Sequence, residues 1–241
     1  MRGRKLRDKG QIPIAIAEPR SPMAESFRTL RTNINYAAVD KEIKTILITS
    51  PHLGEGKSTA SANLAVVMAQ TGQETLLVDC DLRKPMLHKM FALANHKGLT
   101  NLLTETLLLE ELVQPTQQDK LQVLTSGPIP PNPAELLASR RMANFLEELR
   151  SRYEKIIIDT TPTEAVTDAI VLSSQVDGVL LVLDSGKTPI QLAREARDKL
   201  DRANAHLLGI ILNRIKRDSN GYYHYYYYAY GESSSHPDHR R

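Results

Sequence analysis

The sequence predicts an α/β fold: a doubly wound, mostly parallel sheet with helices on both faces, followed by a tyrosine-rich tail. Three observations carry this expectation. Short, wholly apolar runs recur along the chain, as in strands buried on both faces. Segments with helical periodicity lie between them. Three of the runs lead into polar groups suited to phosphate or cations: Ser50–Thr59, Asp79 with Asp81, and Asp159. Ligands of such sheets sit beyond the carboxyl ends of the strands.

The 241 residues suit one large domain rather than two. With 41% hydrophobic and 24% charged residues the composition is that of a globular protein, and a net charge of +3 demands no nucleic acid. Cys80 is the only cysteine, which excludes a disulfide framework and suits a reducing cytoplasm. No run approaches the roughly 18 apolar residues of a membrane span. Arg2, Arg4, Lys5, Arg7 and Lys9 lead into no apolar region, so no signal peptide is expected. This basic cluster reads as a solvated tail; weak contact with an anionic membrane surface is the other reading.

In chain order, residues 1–20 read as a flexible, irregular basic segment with Pro13 and Pro19. Ser21-Pro22 reads as a helix start. Phe27, Leu30, Ile34 and Ala38 then keep helical spacing over Met23–Ala38. Glu25, Arg28 and Arg31 share one side of that helix. As residues alone they are read as a solvated face with local ion pairs; a subunit interface is the alternative. Ile43–Thr49 is the first core strand, and its helix is closed by Gly72. Thr75–Val78 and Leu121–Leu124 are short strands, with a leucine-rich helix expected over Leu99–Leu112. Four prolines within Pro128–Pro133 exclude regular structure there. Ala134–Tyr153 reads as one amphipathic helix, Ile156–Ile158, Gly178–Leu183 and Leu207–Leu212 as strands, and Ile190–Ala203 as a charged helix. The expected organisation is residues 1–20, a phosphate-binding domain over 21–216, and a disordered tail over 217–241.

Strand, glycine-rich turn, Gly-Lys-Ser and helix follow one another around Gly54-Glu55-Gly56-Lys57-Ser58-Thr59, the order of a P-loop. Glycines let the backbone approach phosphate oxygens, and the helix start adds free N–H donors. Lys57 is expected to meet the outer phosphates and Ser58 to meet Mg²⁺. Pro51 stands where the usual pattern has glycine. Asp159 is the expected acidic group near the metal. Of Asp79 and Asp81, one is expected to help hold Mg²⁺ and the other to act as a base; a helix cap with a salt bridge to Arg83 or Lys84 is the structural alternative. A free phenol has a pKa of about 10 and profits from such a base.

Tyr222, Tyr223, Tyr225, Tyr226, Tyr227, Tyr228 and Tyr230 are seven of the nine tyrosines in the chain. They keep neither strand nor helix periodicity. An unstructured aromatic tail and a stacking surface for single-stranded nucleic acid are two readings, the second weakened by the absence of interleaved Lys and Arg. The third is a set of phosphoryl acceptors.

Taken together, Gly54–Thr59, Leu77-Val-Asp-Cys-Asp-Leu-Arg-Lys-Pro85, Ile156-Ile-Ile-Asp159, Ser126–Leu137, Leu212-Asn-Arg214 and the tyrosine cluster resemble the bacterial tyrosine kinases, in their short Gram-positive capsular form. The resemblance covers about residues 20–230. It implies an ATP-dependent tyrosine kinase that autophosphorylates its tyrosine cluster and regulates capsule or exopolysaccharide synthesis. It implies Lys57 and Ser58 on ATP and Mg²⁺, Asp81 and Asp159 at the metal, Asp79 as base, and Asn213 and Arg214 near the nucleotide base. Glu25, Arg28 and Arg31 match the family's Glu-x-x-Arg-x-x-Arg motif, which turns the reading of that face to the interface of a ring, an octamer in the family. In that ring the tail of one copy enters the site of the next. A membrane-protein activator is implied, recruiting the cytoplasmic chain to the membrane through its cytoplasmic segment, as is a cognate tyrosine phosphatase. Thr161 departs from the family's Asp-Thr-Pro-Pro. His52 stands where related partitioning ATPases carry a lysine. A nucleotide-switched positioning ATPase and a non-catalytic nucleotide-binding scaffold of a polysaccharide export complex are the rival functions.

Overall fold

The computed structural model describes residues 12–37 and 42–215. Seven strands form one sheet: β1 (Thr45–Thr49), β2 (Thr75–Asp79), β3 (Gln114–Pro115), β4 (Leu121–Leu124), β5 (Lys155–Asp159), β6 (Gly178–Asp184) and β7 (Leu207–Asn213). Their order is β3-β4-β2-β5-β1-β6-β7, and every pairing except β3 with β4 is parallel. Nine helices are described: α1 (Ile14–Ala17), α2 (Pro22–Ala37), α3 (Lys57–Ala69), α4 (Leu87–Met90), α5 (Leu99–Thr104), α6 (Pro133–Leu137), α7 (Arg140–Arg152), α8 (Asp168–Ser173) and α9 (Ile190–Arg202).

The apolar runs behave as strands buried on both faces. Leu47, Leu76, Val78, Ile156 and Ile158 point into one apolar layer with Met142, Leu146 and Leu200. Their neighbours Ile46, Ile48, Leu77 and Ile157 point into the other, with Leu64, Val67 and Met68 of α3. Period-2 alternation with no polar face leaves covering helices on both sides as the stable solution.

β1 continues to β2 on one side of the sheet, and β5 continues to β6 on the other. Since β5 and β1 are adjacent, the chain reverses direction there, and a crevice opens beyond their carboxyl ends. Asp79 and Asp159 lie opposite each other in the β2–β5 register at this edge.

Several expected boundaries change. The segment 1–20 is not irregular throughout: α1 docks on α3, with the Ala15 N–H bonded to Asn63 Oδ1 at 2.9 Å and the Ala15 carbonyl accepting from Gln70 Nε2 at 3.2 Å. The expected helix 99–112 stops at Thr104, because Glu105 turns extended and its carbonyl is taken by Arg141. The expected helix 134–153 is two helices. Ser139 leaves the helical region and accepts the Met142 N–H at 3.2 Å, so it starts α7 as a cap. Gly72 lies beyond the cap of α3, which is Gln70.

Candidate active site

The P-loop joins β1 to α3. Gly54 and Gly56 have φ of +82° and +98°, the left-handed region that side chains resist. A Cβ on Gly56 would also lie 2.1 Å from Asn213 Nδ2. Backbone strain therefore favours glycine at position 56, and a side chain there would displace the Asn213 amide. α3 begins at Lys57, so its first free N–H groups come from the same residues.

Lys57 is buried. Its Nζ donates to Asp81 Oδ2 at 2.8 Å and lies 3.8 Å from Asp159 Oδ2. Ser61, one helical turn further on, donates to Asp159 Oδ1 at 3.0 Å. Ser58 Oγ lies 3.3 Å from Lys57 Nζ, and Thr59 is exposed on the outside of the turn. Asp79 is enclosed. One of its oxygens accepts the Met86 and Leu87 N–H groups at 3.2 and 3.1 Å, and the other accepts the Asp81 N–H at 3.3 Å. Asp81 Oδ1 accepts the Lys84 N–H at 2.9 Å. Arg83 does not pair with either aspartate; it grips Asp168 of α8 with two bonds, at 2.9 and 3.1 Å.

Around this lysine, Asp79 and Asp159 are shifted. Burial, with Asp159 beside it, pushes Asp79 up to about 8. Burial raises Asp159 as well, against the pull of Lys57. Burial alone would lower Lys57, but Asp159 and Asp81 outweigh it and raise the ammonium. Burial also pushes the Cys80 thiol well up, which leaves it a packed, unreactive group.

The turn after Asp159 lies along the start of the P-loop. The Thr163 N–H donates to the Ser50 carbonyl at 2.9 Å, and Thr49 Oγ1 donates to the Thr161 carbonyl at 2.8 Å. Threonine at 161 is thus accommodated without disturbing Asp159. Asp159 Oδ2 and the hydroxyls of Thr161 and Thr163 are buried without a hydrogen-bond partner. Buried polar atoms want partners, so this end of the site suits a further polar group such as a hydrated cation. Among the described residues no three Asp, Glu, His or Cys side chains form a metal cage.

Asn213 and Arg214 close the other end. Asn213 Nδ2 donates to the Glu55 carbonyl at 2.8 Å, and Arg214 reaches Asp184 Oδ2 at 2.5 Å. The Glu55 carboxylate is buried and turned away from the phosphate side, toward Thr188. Sequence reasoning missed Thr188 and Asp184, which no spacing marked. It missed Ser61 too, although Ser61 lies four residues after Lys57 on the same helical face.

Glu25 and Arg28 sit on α2 as a pair at 2.7 Å, beside a hollow of about 550 Å³ that they line with Pro19, Arg20, Ser21 and Pro22. Arg31 instead donates to the Val67 carbonyl of α3 at 2.6 Å. The tyrosine cluster 222–230 lies outside the described residues.

Comparison with known proteins identifies the family. An AAA domain model matches residues 43–195. Tyrosine-protein kinase YwqD of Bacillus subtilis is 48% identical over 213 residues, 87% of this chain and 90% of that one. The putative tyrosine-protein kinase CapB of Staphylococcus aureus is 42% identical, covering 89% and 93%. The crystal structure of the chimerical protein CapA2B2 superposes with a TM-score of 0.82 at 41% identity, covering 88% of this chain and 96% of that one. The chain belongs to the bacterial tyrosine-protein kinases, built on a P-loop AAA domain.

Proposed function

We propose that this kinase transfers the γ-phosphoryl group of ATP, with Mg²⁺, to its own tyrosines Tyr222, Tyr223, Tyr225, Tyr226, Tyr227, Tyr228 and Tyr230. One observation carries the site: Lys57 Nζ stands at 2.8 and 3.8 Å from Asp81 and Asp159, at the mouth of a glycine loop that opens a helix. Such a lysine meets phosphate oxygens, and the loop's N–H groups hold the rest. Gly54, Glu55, Gly56, Lys57, Ser58 and Thr59 form the phosphate side, Glu55 through its backbone. Asn213 and Arg214 form the side toward the base. Ser58, Asp81 and Asp159 would hold Mg²⁺, in part through water, and the ion would neutralise charge on the phosphates. Asp79 is the base for the phenol. Its raised pKa makes its ionised form a stronger proton acceptor than an ordinary carboxylate, and a Mg²⁺ ion held beside it would favour that ionised form. Because it is enclosed, the 80–87 segment has to move before a tyrosine meets it.

Transfer in trans within a ring is the corresponding assembly proposal, with Glu25, Arg28 and Arg31 at the interface. The exposed pair on α2 supports it, and Arg31 joins that helix directly to the P-loop helix. No helix among the described residues is long and apolar enough to cross a membrane. We propose that a membrane-protein activator recruits the chain through its cytoplasmic segment, that a tyrosine phosphatase reverses the reaction, and that the cycle regulates capsule or exopolysaccharide synthesis.

Mass-spectrometric mapping of phosphotyrosine after incubation with ATP and Mg²⁺ tests this, with and without an activator segment and with Lys57→Met as control. Phosphate on residues 222–230 that requires Lys57 is expected. Steady phosphate release with unmodified tyrosines would instead indicate a switch ATPase, and nucleotide binding with neither would indicate a scaffold.

A further inference from the structure

Glu55 sits inside the P-loop, yet its side chain does not face the phosphate side. It is buried, and both carboxylate oxygens are used: Oε2 accepts the His52 N–H at 2.9 Å and Oε1 accepts the Thr188 hydroxyl at 2.5 Å. Its carbonyl accepts Asn213 Nδ2 at 2.8 Å. Thr188 is in turn held, since its Oγ1 accepts the Asp184 N–H at 2.9 Å and its own N–H bonds the Asp184 carbonyl at 2.9 Å. Asp184 accepts from Arg214, and the Asn213 carbonyl accepts the Ser185 N–H at 2.9 Å. These bonds form one closed circuit through the P-loop, the β6–α9 turn and the end of β7.

We propose that Glu55 and Thr188 are positioning residues that brace the P-loop against the β6–α9 turn. The loop carries left-handed backbone at Gly54 and Gly56. A glycine-rich turn has many conformations open to it, and one conformation has to be held if its N–H groups are to converge on phosphate. Within Ser50–Ser58, Glu55 alone carries a buried carboxylate, and it fastens the turn at two points, His52 and Thr188. Because Asn213 is packed against Gly56 and bonded to the Glu55 carbonyl, the same brace sets the spacing between the phosphate side and the base side. It touches neither phosphate nor tyrosine, so it acts on nucleotide affinity rather than on the transfer step.

The inference rests on nucleotide binding at this loop, and the experiment separates the two. The full-length chain, its Thr188→Val and Thr188→Ser variants and Glu55→Gln are titrated with a fluorescent ADP probe in Mg²⁺, and the nucleotide-free proteins are melted in parallel. Thr188→Val keeps the volume and removes both the donor to Glu55 and the acceptor of the Asp184 N–H. It is expected to weaken ADP binding about 10- to 150-fold, the range for losing a hydrogen bond to a charged group. KM for ATP should rise with kcat held, the nucleotide-free melting temperature should fall, since valine leaves Glu55 Oε1 and the Asp184 N–H without this partner, and Thr188→Ser should restore all three. Glu55→Gln, which presents an amide donor where two donors need acceptors, should weaken binding as well, and it carries the test if Thr188→Val does not fold. Wild-type affinity in both variants overturns the brace. So does a loss that Thr188→Ser does not recover, or a fall in kcat with KM for ATP unchanged. Failure of the wild-type chain to bind the probe overturns the nucleotide reading itself, and the brace with it.

Discussion

The two ends of the sheet treat their carboxylates in opposite ways. At the amino end, Asp177 accepts the Lys44 and Thr45 N–H groups at 3.1 and 2.9 Å and the Thr45 hydroxyl at 2.8 Å, with Arg150 at 3.6 Å. Burial opposes its charge, but the Thr45 and Lys44 donors outweigh it and hold Asp177 below the usual carboxylate range. At the carboxyl end, Asp79, Asp81 and Asp159 crowd one lysine, and burial raises Asp79 and Asp159. At the amino end one carboxylate meets three donors. At the carboxyl end three carboxylates share one lysine, and the donors that Asp79 and Asp159 receive do not offset their burial. The amino end pairs its carboxylate, and the carboxyl end leaves Asp159 Oδ2 without a hydrogen-bond partner.

The sharpest test of that division is Lys57→Met. It is expected to lower tyrosine phosphorylation by at least about a hundredfold, read by phosphotyrosine mass spectrometry, since Lys57 is the cation among the three aspartates. Asp177→Ala should do the reverse. It leaves the partly buried donors at Lys44 and Thr45 without this acceptor, so urea unfolding should show a loss of about 1–3 kcal/mol, with activity per folded molecule unchanged. An activity loss without destabilisation would break the comparison.

Next is the pH dependence of the nucleotide-free chain. Asp79 holds its proton to about 8 in the folded chain, against 3.8 as its ordinary value. The folded state thus binds more protons than the unfolded state between those limits. Its contribution is present below about pH 4 and is lost as pH rises toward about 8. Asp177 has the opposite sign: its contribution is present above the ordinary carboxylate pKa and is lost in acid as pH falls through its lowered value. Thermal melts from pH 5 to 8 should therefore show falling stability, and Asp79→Asn should flatten that slope while Asp177→Asn leaves it in place. Least of all, Lys155→Met at the amino end should cost only about 1 kcal/mol. It removes one bond, from Nζ to the Ile43 carbonyl at 2.6 Å, at a group whose ammonium burial already disfavours.

Much of this was legible beforehand. Gly54, Gly56, Lys57 and Ser58 lie close together in sequence, so the phosphate side needed no fold to be recognised. The three aspartates were legible because each closes an apolar run, and parallel strands bring such ends to one edge. Splitting of the 99–112 and 134–153 segments was less visible. Arg141 reaches Glu105 from another helix, and Ser139 acts as a cap only once Pro133–Leu137 has turned away.

The sequence by itself determined the α/β class, the strands, the P-loop and the kinase family, because these depend on local spacing and residue chemistry. Only the tertiary structure decided which groups meet. Asp79 became enclosed by the N–H groups of Met86 and Leu87, Arg83 turned to Asp168 rather than to its neighbours, and Glu55 turned from the phosphate side to Thr188, 133 residues away. Side-chain direction within a buried loop is set by whichever donors the packed elements bring within hydrogen-bond reach. Those donors come from strand order, which one-dimensional spacing does not contain.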